Sequence, residues 1–329
     1  MRYRTLGKHG PRSSVVGFGA MTLAPGTYGS VTESEAEETF LAALDAGYTL
    51  IDTADIYGGD GASERLIGRV LGARRDDVVL ATKFGGNQDE RGVLIPGLGR
   101  PDHVRRALDA SLSRLRTDRV DLYYLHRLDP TTPVEDTVGA LAELVGAGKI
   151  RHIGLSEVST RTLRRAHAVH PVTALQTEYS PFNRGPEKEI IPVCEELGVA
   201  FVAYSPLGRG ILGGTVRGDA DLEGSDWRRG NPRFQGDNLA RNVSLADSVA
   251  TLAAGHGVTT AQLALAWLLH RGTFPIPGTR RAANARANAT AADLDLDASA
   301  FERLEELVPP GAAAGEQGNA SYMANIDTA

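Results

Sequence analysis

Residues 48–58 read YTLIDTADIYG and join a short apolar run to two polar side chains. The run ends in Asp52, and Tyr57 lies in the polar stretch that follows, beside Gly58. A nearly continuous apolar run is typical of a strand that is buried on both faces of a parallel sheet. The stretch therefore predicts a buried strand whose carboxyl end delivers a carboxylate and a phenol into one loop.

Similar runs recur along the chain, so that eight strands are predicted. They are VVGFG near residue 15, YTLID near 48, VVLATK near 78, VDLYYLH near 120, IRHIGLS near 150, TALQTEY near 173, VAFVAYS near 199 and TFPIPG near 273. Segments with apolar positions at the helical period separate them, and pairs such as Thr32 with Glu35 and Thr132 with Glu135 match a capping box. Eight strand–helix units favour a closed (β/α)8 TIM barrel over an open doubly wound sheet, which stays as the alternative.

The composition limits the classes of function. The 329 residues are 42% hydrophobic and 23% charged, which is typical of a globular chain with a large core. A formal net charge of −6 argues against a nucleic-acid surface, and the single cysteine, Cys194, excludes a cysteine-rich metal site within one chain. The N-terminus lacks a secretion signal and no apolar run approaches the length of a bilayer span, so we expect a cytoplasmic protein without a membrane partner.

Three long segments interrupt the strand–helix rhythm: residues 84–100, residues 209–242 and the tail 309–329. We predict a single barrel domain over 1–329, with these three segments covering the barrel mouth. Residues 209–242 contain six arginines and few apolar residues. We therefore expect this segment to bury too little to order itself without a bound anion.

Four titratable side chains are predicted at the carboxyl ends of consecutive strands, where the active sites of such barrels lie. They are Asp52, Tyr57, Lys83 and His126. Each alone is compatible with a structural role, but their coincidence favours a catalytic site. The group suits carbonyl reduction, because a nearby ammonium lowers the pKa of a phenol that donates a proton to the alkoxide. In this interpretation Asp52 orients Lys83, and His126 hydrogen-bonds the carbonyl or hands a proton to Tyr57.

No side chain supplies a hydride, so this interpretation requires a nicotinamide. Gly208–Gly213 match GxGxxG, but a polar, arginine-rich loop follows instead of an amphipathic helix, which argues against a Rossmann fold. Gly278 and Thr279 precede a predicted helix whose first amides can bind phosphate, and Arg280 and Arg281 add forked donors. A phosphate beyond the pyrophosphate would fit there, which favours NADPH over NADH.

The chain resembles the aldo-keto reductases in a series of segments that occur in matching order and spacing. They are GFGAM (17–21), DTADIYG (52–58), ATKFG (81–85), YYLHRLDP (123–130), IRHIGLSE (150–157), LQTEYSP (175–181), AYSPLGRGIL (203–212) and IPGTRR (276–281). The resemblance extends to about residue 305 and is closest to bacterial members with YSPLGRG and PRFQ segments, here 204–210 and 232–235. It implies a (β/α)8 barrel that binds NADP(H) without a Rossmann fold and uses Tyr57 as proton donor.

The resemblance also implies a set of cofactor contacts. Ser156 and Gln176 correspond to nicotinamide carboxamide contacts, Tyr204 to the aromatic residue stacked on the ring, and the pyrophosphate contacts are Ser205, Pro206, Leu207, Gly208, Arg209 and Gly210. The 2′-phosphate site corresponds to Gly278, Thr279 and Arg280, with Asn288 near the adenine, and the cofactor site also includes Gly19 and Met21. Two positions depart from the family: Glu157 replaces an asparagine at a carboxamide contact, and Ala287 replaces an acidic residue near the adenine.

Three functions remain open at this point. The first is NADPH-dependent reduction of an aldehyde or ketone, with a small-molecule carbonyl substrate. The second is an NADP(H)-binding protein with little turnover, similar to channel β-subunits or a redox sensor, against which we note no partner-binding extension before the first predicted strand. The third is a Schiff-base lyase that uses Lys83, which Asp52 disfavours because a paired ammonium is a poor nucleophile.

Overall fold

The computed structural model describes residues 1–224 and 226–328. Within them, eight parallel strands follow one another in chain order around one curled sheet. The strands are β3 (Phe18–Gly19), β4 (Leu50–Asp52), β5 (Val79–Phe84), β6 (Val120–Leu125), β7 (Ile150–Ser156), β8 (Val172–Glu178), β9 (Ala200–Tyr204) and β10 (Phe274–Pro275). Gly17 N–H donates to the Pro275 carbonyl at 2.9 Å and Gly19 N–H to the Pro277 carbonyl at 3.2 Å, which join the first strand to the last. The predicted (β/α)8 barrel and all eight predicted strands are confirmed.

A short hairpin that the sequence analysis did not predict precedes the barrel. Its strands are β1 (Tyr3–Thr5) and β2 (Arg12–Ser14), which pair in antiparallel orientation. Leu6, in the turn between them, is completely buried and packs with the apolar side chains that fill the barrel interior. The hairpin therefore closes the end of the barrel opposite the strand carboxyl ends.

Helices follow the strands around the barrel. They are α1 (Glu33–Asp45), α2 (Ala62–Leu71), α3 (Pro101–Leu115), α4 (Val134–Gly146), α5 (Thr160–Val169), α6 (Ile190–Leu197), α7 (Gly236–Gly255), α8 (Thr260–His270), α9 (Ala282–Thr290), α10 (Ala298–Leu307) and α11 (Ala320–Ala324). In the described part of the chain no single helix has the length and apolarity to cross a bilayer. Helices α7 and α8 would pass that test only as a pair, and they are bent by 85° to each other.

The starts of α1 and α4 differ in how they are capped. Thr32 and Glu35 form the predicted capping box at the start of α1. The capping box predicted at Thr132 is wrong, because Pro133 is itself the N-cap of α4 and the Thr132 hydroxyl donates to Asp129 Oδ2 at 2.7 Å. The side chain that would have capped the helix is thus used to hold the loop after β6.

Alternation along the strands decides which side chains reach the barrel mouth. One set of alternate residues fills the interior, including Leu50, Ala81, Tyr124, Ala174 and Val202, while the intervening residues pack against the helices. The predicted site residues lie two positions beyond these interior residues: Asp52, Lys83, His126, Gln176 and Tyr204. The strand period therefore places their side chains on the inner face, at the carboxyl end of the barrel.

The C-terminal tail contacts both long loops. Asn325 Nδ2 donates to the Gly92 carbonyl at 2.8 Å, in the loop after β5. Arg209 NH1 and Asn231 Nδ2 both donate to the Gln317 carbonyl at 2.7 Å, from the loop after β9. These three segments thus form one hydrogen-bonded group.

The expectation that residues 209–242 bury little is wrong, while the order of this segment without a bound anion stays a prediction. Helix α7 already begins at Gly236, and the few apolar residues before it are almost all buried: Ile211, Leu212, Val216, Leu222 and Phe234. Arg228 is also buried and pairs with Asp226 at 2.6 Å. The sparse apolar residues and a buried ion pair together supply the packing that the composition did not predict.

Gly154 in β7 is required by the barrel interior. A Cβ atom added to Gly154 would lie 2.3 Å from Cδ1 of the Tyr124 ring, well inside van der Waals contact. The same ring lies below the Lys83 ammonium, with 5.9 Å between Nζ and the ring centroid. The glycine therefore leaves room for an aromatic ring that supports the floor of the site.

We predict that Gly154→Ala lowers the free energy of unfolding by about 1–3 kcal/mol, because the ring or the backbone must shift. Gly139→Ala in α4 is the matched control, since an added Cβ there meets no atom within 4 Å. The control should raise stability by up to about 1 kcal/mol through helix propensity. Urea unfolding of both variants tests this, and equal effects of the two substitutions would contradict the packing argument.

Candidate active site

Lys83 lies at the centre of the polar residues at the barrel mouth. Its Nζ atom is 2.5 Å from Asp52 Oδ1, 2.9 Å from the Thr53 carbonyl and 3.3 Å from the Tyr57 hydroxyl. Lys83 is 0% exposed and Asp52 is 3% exposed. The ammonium thus has three oxygen partners in a place that water does not reach.

The Asp52 carboxylate connects this lysine to the next strands of the barrel. Its second oxygen, Oδ2, accepts a hydrogen bond of 2.7 Å from Gln176 Nε2 in β8. Gln176 is paired in register with Ser156 of β7, so both residues lie at the same level of the barrel. Gln176, Asp52, Lys83 and Tyr57 consequently form one chain of hydrogen bonds across the mouth.

His126 follows β6 and faces Tyr57. The two rings meet edge to face at 87°, with 5.9 Å between their centroids. Burial, with Lys83 and Arg127 adding to it, holds the pKa of His126 well below its ordinary value. A neutral imidazole can hydrogen-bond a carbonyl oxygen, whereas the alternative in which His126 hands its own proton to Tyr57 is disfavoured.

The pKa of Tyr57 differs in direction from the sequence-based expectation. Burial raises the pKa of its phenol above the ordinary value, and the opposing effect of Lys83 does not cancel this. Burial would lower the pKa of Lys83, but Asp52 and Tyr57 raise it above its ordinary value. At neutral pH the site therefore contains a protonated phenol beside a charged ammonium, and such an ammonium is not a Schiff-base nucleophile.

A cavity of about 800 Å³ opens at the barrel mouth, and most of the predicted site residues line it. These are Gly19, Met21, Asp52, Tyr57, His126, Ser156, Gln176, Tyr204, Ser205, Pro206, Leu207, Arg209, Gly210, Gly278, Thr279, Arg280 and Asn288. The other three, Lys83, Glu157 and Gly208, are not part of the lining. Lys83 lies behind Asp52 and Tyr57, which it contacts.

The carboxamide contact predicted for Glu157 is not supported. Glu157 has a left-handed backbone, with φ of 51°, and its Oε1 atom accepts from the Glu178 backbone N–H at 2.9 Å. Burial raises the pKa of this carboxyl group, with Arg127 opposing the shift. The side chain thus braces two adjacent strand ends and does not line the cavity.

The turn after β9 contains several residues with positive φ, and its arginine, Arg209, is already engaged in an ion pair. Ser205, Gly208, Arg209 and Gly210 all have positive φ, between 49° and 109°, so the backbone makes a tight turn there. The Arg209 side chain is buried and pairs with Glu178 Oε2 at 2.5 Å. Its ion pair with Glu178 means that Arg209 serves the packing of the loop, while the turn backbone stays beside the cavity.

The predicted phosphate site lies between β10 and α9. Thr279 Oγ1 accepts from the Arg281 N–H at 3.1 Å, and α9 begins one residue later at Ala282. Arg280 donates to the Ser30 carbonyl at 2.6 Å and lies 3.6 Å from Glu223 Oε1. Arg280 is therefore held at the rim between two loops, and an anion there would compete with Glu223.

Several lining residues were not identified from the sequence. They are Tyr28, Arg127, Trp227, Arg228 and Tyr322. Four of them come from loops or the tail, whose path no strand or helix period predicts. Only Arg127 could have been identified from the sequence, because it directly follows His126 at a strand end.

Comparisons with known proteins agree with this geometry. Residues 15–309 match the model of the aldo/keto reductase family. A probable aldo-keto reductase of Glycine max is 41% identical over 317 residues, which cover 94% of this chain and 90% of that protein.

Solved structures agree as well. A thermostable aldo-keto reductase in complex with the inhibitor epalrestat is 31% identical with a TM-score of 0.74, and the match covers 93% of this chain and all of that one. A glycerol dehydrogenase of Gluconobacter oxydans is 28% identical with a TM-score of 0.80, over 93% of this chain and 94% of that chain. Fold and matches together define an oxidoreductase of the carbonyl-reducing class with a (β/α)8 barrel fold. The chain belongs to the aldo/keto reductase family.

A second set of acidic side chains supports the loop that carries Tyr57. Glu64 accepts from Thr82 Oγ1 and from Arg114 Nε, both at 2.6 Å. Asp55 lies nearby, and its Oδ1 atom is buried without a hydrogen-bond partner. Burial and the charge of Glu64 raise the pKa of Asp55 to about 7. Asp55 is therefore protonated in the folded protein at a pH where it is charged in the unfolded chain.

A raised folded-state pKa stabilises the protein below the unfolded value and loses this contribution as pH rises through about 7. We predict that Asp55→Asn removes this loss, so that the free energy of unfolding of the variant, relative to wild type, rises by about 3 kcal/mol between pH 4.5 and 7.5. Urea unfolding at several pH values measures it. The exposed Asp77→Asn variant is the control and should follow the wild-type curve; an unchanged curve for Asp55→Asn would rule out this assignment.

Proposed function

We propose that the protein reduces an aldehyde or ketone to an alcohol with NADPH, and that Tyr57 donates the proton. The observation that carries this proposal is the contact of 3.3 Å between the Tyr57 hydroxyl and the Lys83 ammonium, beside a cavity that Tyr57 lines. Tyr57 remains protonated in the resting enzyme because burial raises its pKa. As its proton leaves, the charge on Lys83 stabilises the phenolate that forms.

The residues around the cavity fit a phosphorylated dinucleotide. Cationic and amide donors from Arg280, Arg281 and Asn284 line one part of the cavity, and Tyr57 and His126 line another. When bound, the nicotinamide supplies the hydride. Three sets of residues would hold the cofactor: Ser156, Gln176 and Tyr204 at the nicotinamide, the turn Ser205–Gly210 at the pyrophosphate, and Thr279 and Arg280 at the 2′-phosphate.

Asp52 and His126 have separate roles in this proposal. Asp52 keeps Lys83 charged and directs it toward Tyr57, since its other oxygen is held by Gln176. His126 orients the substrate carbonyl by a hydrogen bond from its neutral ring. The polarised carbonyl is thereby placed within reach of the Tyr57 proton.

We predict that Tyr57→Phe lowers kcat by about 100-fold or more and leaves the Kd for NADPH near the wild-type value, because the lost interaction forms mainly in the transition state. NADPH oxidation with a panel of aldehydes and ketones gives kcat, and fluorescence titration gives Kd. The control is Tyr123→Phe, which removes a buried hydroxyl without a hydrogen-bond partner. A Tyr57→Phe enzyme with most of its activity would overturn the assignment of the proton donor.

We also predict that Arg280→Ala weakens NADPH binding about tenfold or more and changes NADH binding little. The reason is that a guanidinium–phosphate hydrogen bond contributes about 1.5–3 kcal/mol. Titration of each cofactor measures this, and the exposed Arg286→Ala variant in helix α9, which follows Arg280, is the control. Equal losses for NADPH and NADH would show that Arg280 does not recognise the 2′-phosphate.

A further inference from the structure

Arg127 is a buried cation that lines the cavity. It directly follows His126 at the end of β6 and is 8% exposed. Its NH1 atom is buried and has no hydrogen-bond partner. Arginine stays protonated at any pH at which the protein is folded, so this charge cannot be removed by titration.

Two other buried arginines line the cavity, and both have carboxylate partners. Arg209 pairs with Glu178 at 2.5 Å and Arg228 pairs with Asp226 at 2.6 Å. Within the described residues, no carboxylate forms an ion pair with Arg127. Buried charges are normally paired, because an unpaired one costs several kcal/mol. Arg127 therefore differs from these two arginines in having no carboxylate within ion-pair distance among the described residues.

The groups around Arg127 are neutral or otherwise occupied. The Tyr204 hydroxyl is a side-chain hydrogen-bond partner, and the Tyr322 ring lies 5.2 Å from the guanidinium carbon. Glu157 is the acidic residue whose charge acts on Arg127. One Glu157 oxygen already accepts a hydrogen bond from the Glu178 N–H, and burial raises the pKa of the Glu157 carboxyl group. These contacts hold the guanidinium in place, and among the described residues none of them is an ion pair with a carboxylate.

The position of Arg127 indicates which anion compensates it. Its guanidinium is close enough to His126 and Tyr57 to act on the pKa of both, and all three side chains line the cavity, so Arg127 belongs to the part where the carbonyl is reduced in the proposed function. The phosphate donors Thr279 and Arg280 follow β10, a different strand of the barrel. A planar guanidinium forms paired hydrogen bonds with a carboxylate. We propose that Arg127 binds a carboxylate of the substrate, and that the natural substrates are aldehydes or ketones that carry an acidic group.

The inference rests on the proposed function and is tested first with the wild-type enzyme. The probes are the three isomers of carboxybenzaldehyde, each compared with its methyl ester, because the ester keeps the shape and removes the charge. We expect at least one acid to exceed its ester about tenfold or more in kcat/KM. Esters that are reduced as well as their acids in all three pairs would overturn the inference without any variant.

The variant Arg127→Met then assigns the preference to this residue. It should remove most of the advantage of the acid, mainly through KM, and leave the ester within about threefold of wild type. Arg127→Lys should restore part of it, and the exposed Arg286→Met should change nothing. A rise in the Kd for NADPH with an unchanged acid preference would mean that Arg127 binds a cofactor phosphate, which also overturns the inference.

Equilibrium binding separates this inference from the proposed function. Trp227 lines the same cavity, so benzoate and benzamide can be titrated by tryptophan fluorescence without turnover. We expect benzoate to bind about tenfold more tightly than benzamide in wild type and equally in Arg127→Met. Binding of this kind in a protein that reduces no carbonyl would refute the proposed function and support the carboxylate site, whereas equal binding in wild type would refute the site.

Discussion

The buried ion pair between Lys83 and Asp52 is the interaction on which the rest of the site depends. Burying two charges costs more free energy than their attraction returns unless their other hydrogen-bonding positions are filled. The Thr53 carbonyl, the Tyr57 hydroxyl and Gln176 Nε2 fill them here. The pair therefore links three strands and the loop after β4, and the position of Tyr57 follows from the need to satisfy a charge that water cannot reach.

Much of this arrangement could be predicted because a strand has a strict period. Once Leu50 and Ala81 are assigned to the barrel interior, Asp52 and Lys83 must lie on the same face and at the same end. The barrel itself followed from eight apolar runs, each matched by a strand. The predicted lowering of the Tyr57 pKa by Lys83 is present but is outweighed by burial, since a sequence shows the neighbouring cation but not how deeply the phenol is buried.

The features that could not be predicted lie in loops and in the tail, where neither the strand period nor the helix period applies. The left-handed backbone of Glu157 turns its carboxylate toward the Glu178 N–H, and neither the residue type nor its spacing indicates this. Residues 209–242 looked too polar to pack, yet most of their few apolar side chains are buried. Tyr322 reaches the cavity from a tail far along the chain, and contacts of that kind depend on the three-dimensional path of the loops.

The number of arginines near a cavity does not by itself indicate what the cavity binds. Residues 209–242 contain six arginines. Arg217 pairs with Asp247, Arg228 with Asp226, and Arg209 and Arg233 share Glu178. These carboxylates pair with most of the arginines in the loop and hold them in the packed structure. The composition of the loop alone would suggest that it closes over a bound anion. Positive charge is available to a ligand only at arginines that have no carboxylate partner. A chain with a net charge of −6 can therefore still present a locally cationic cavity to anionic molecules.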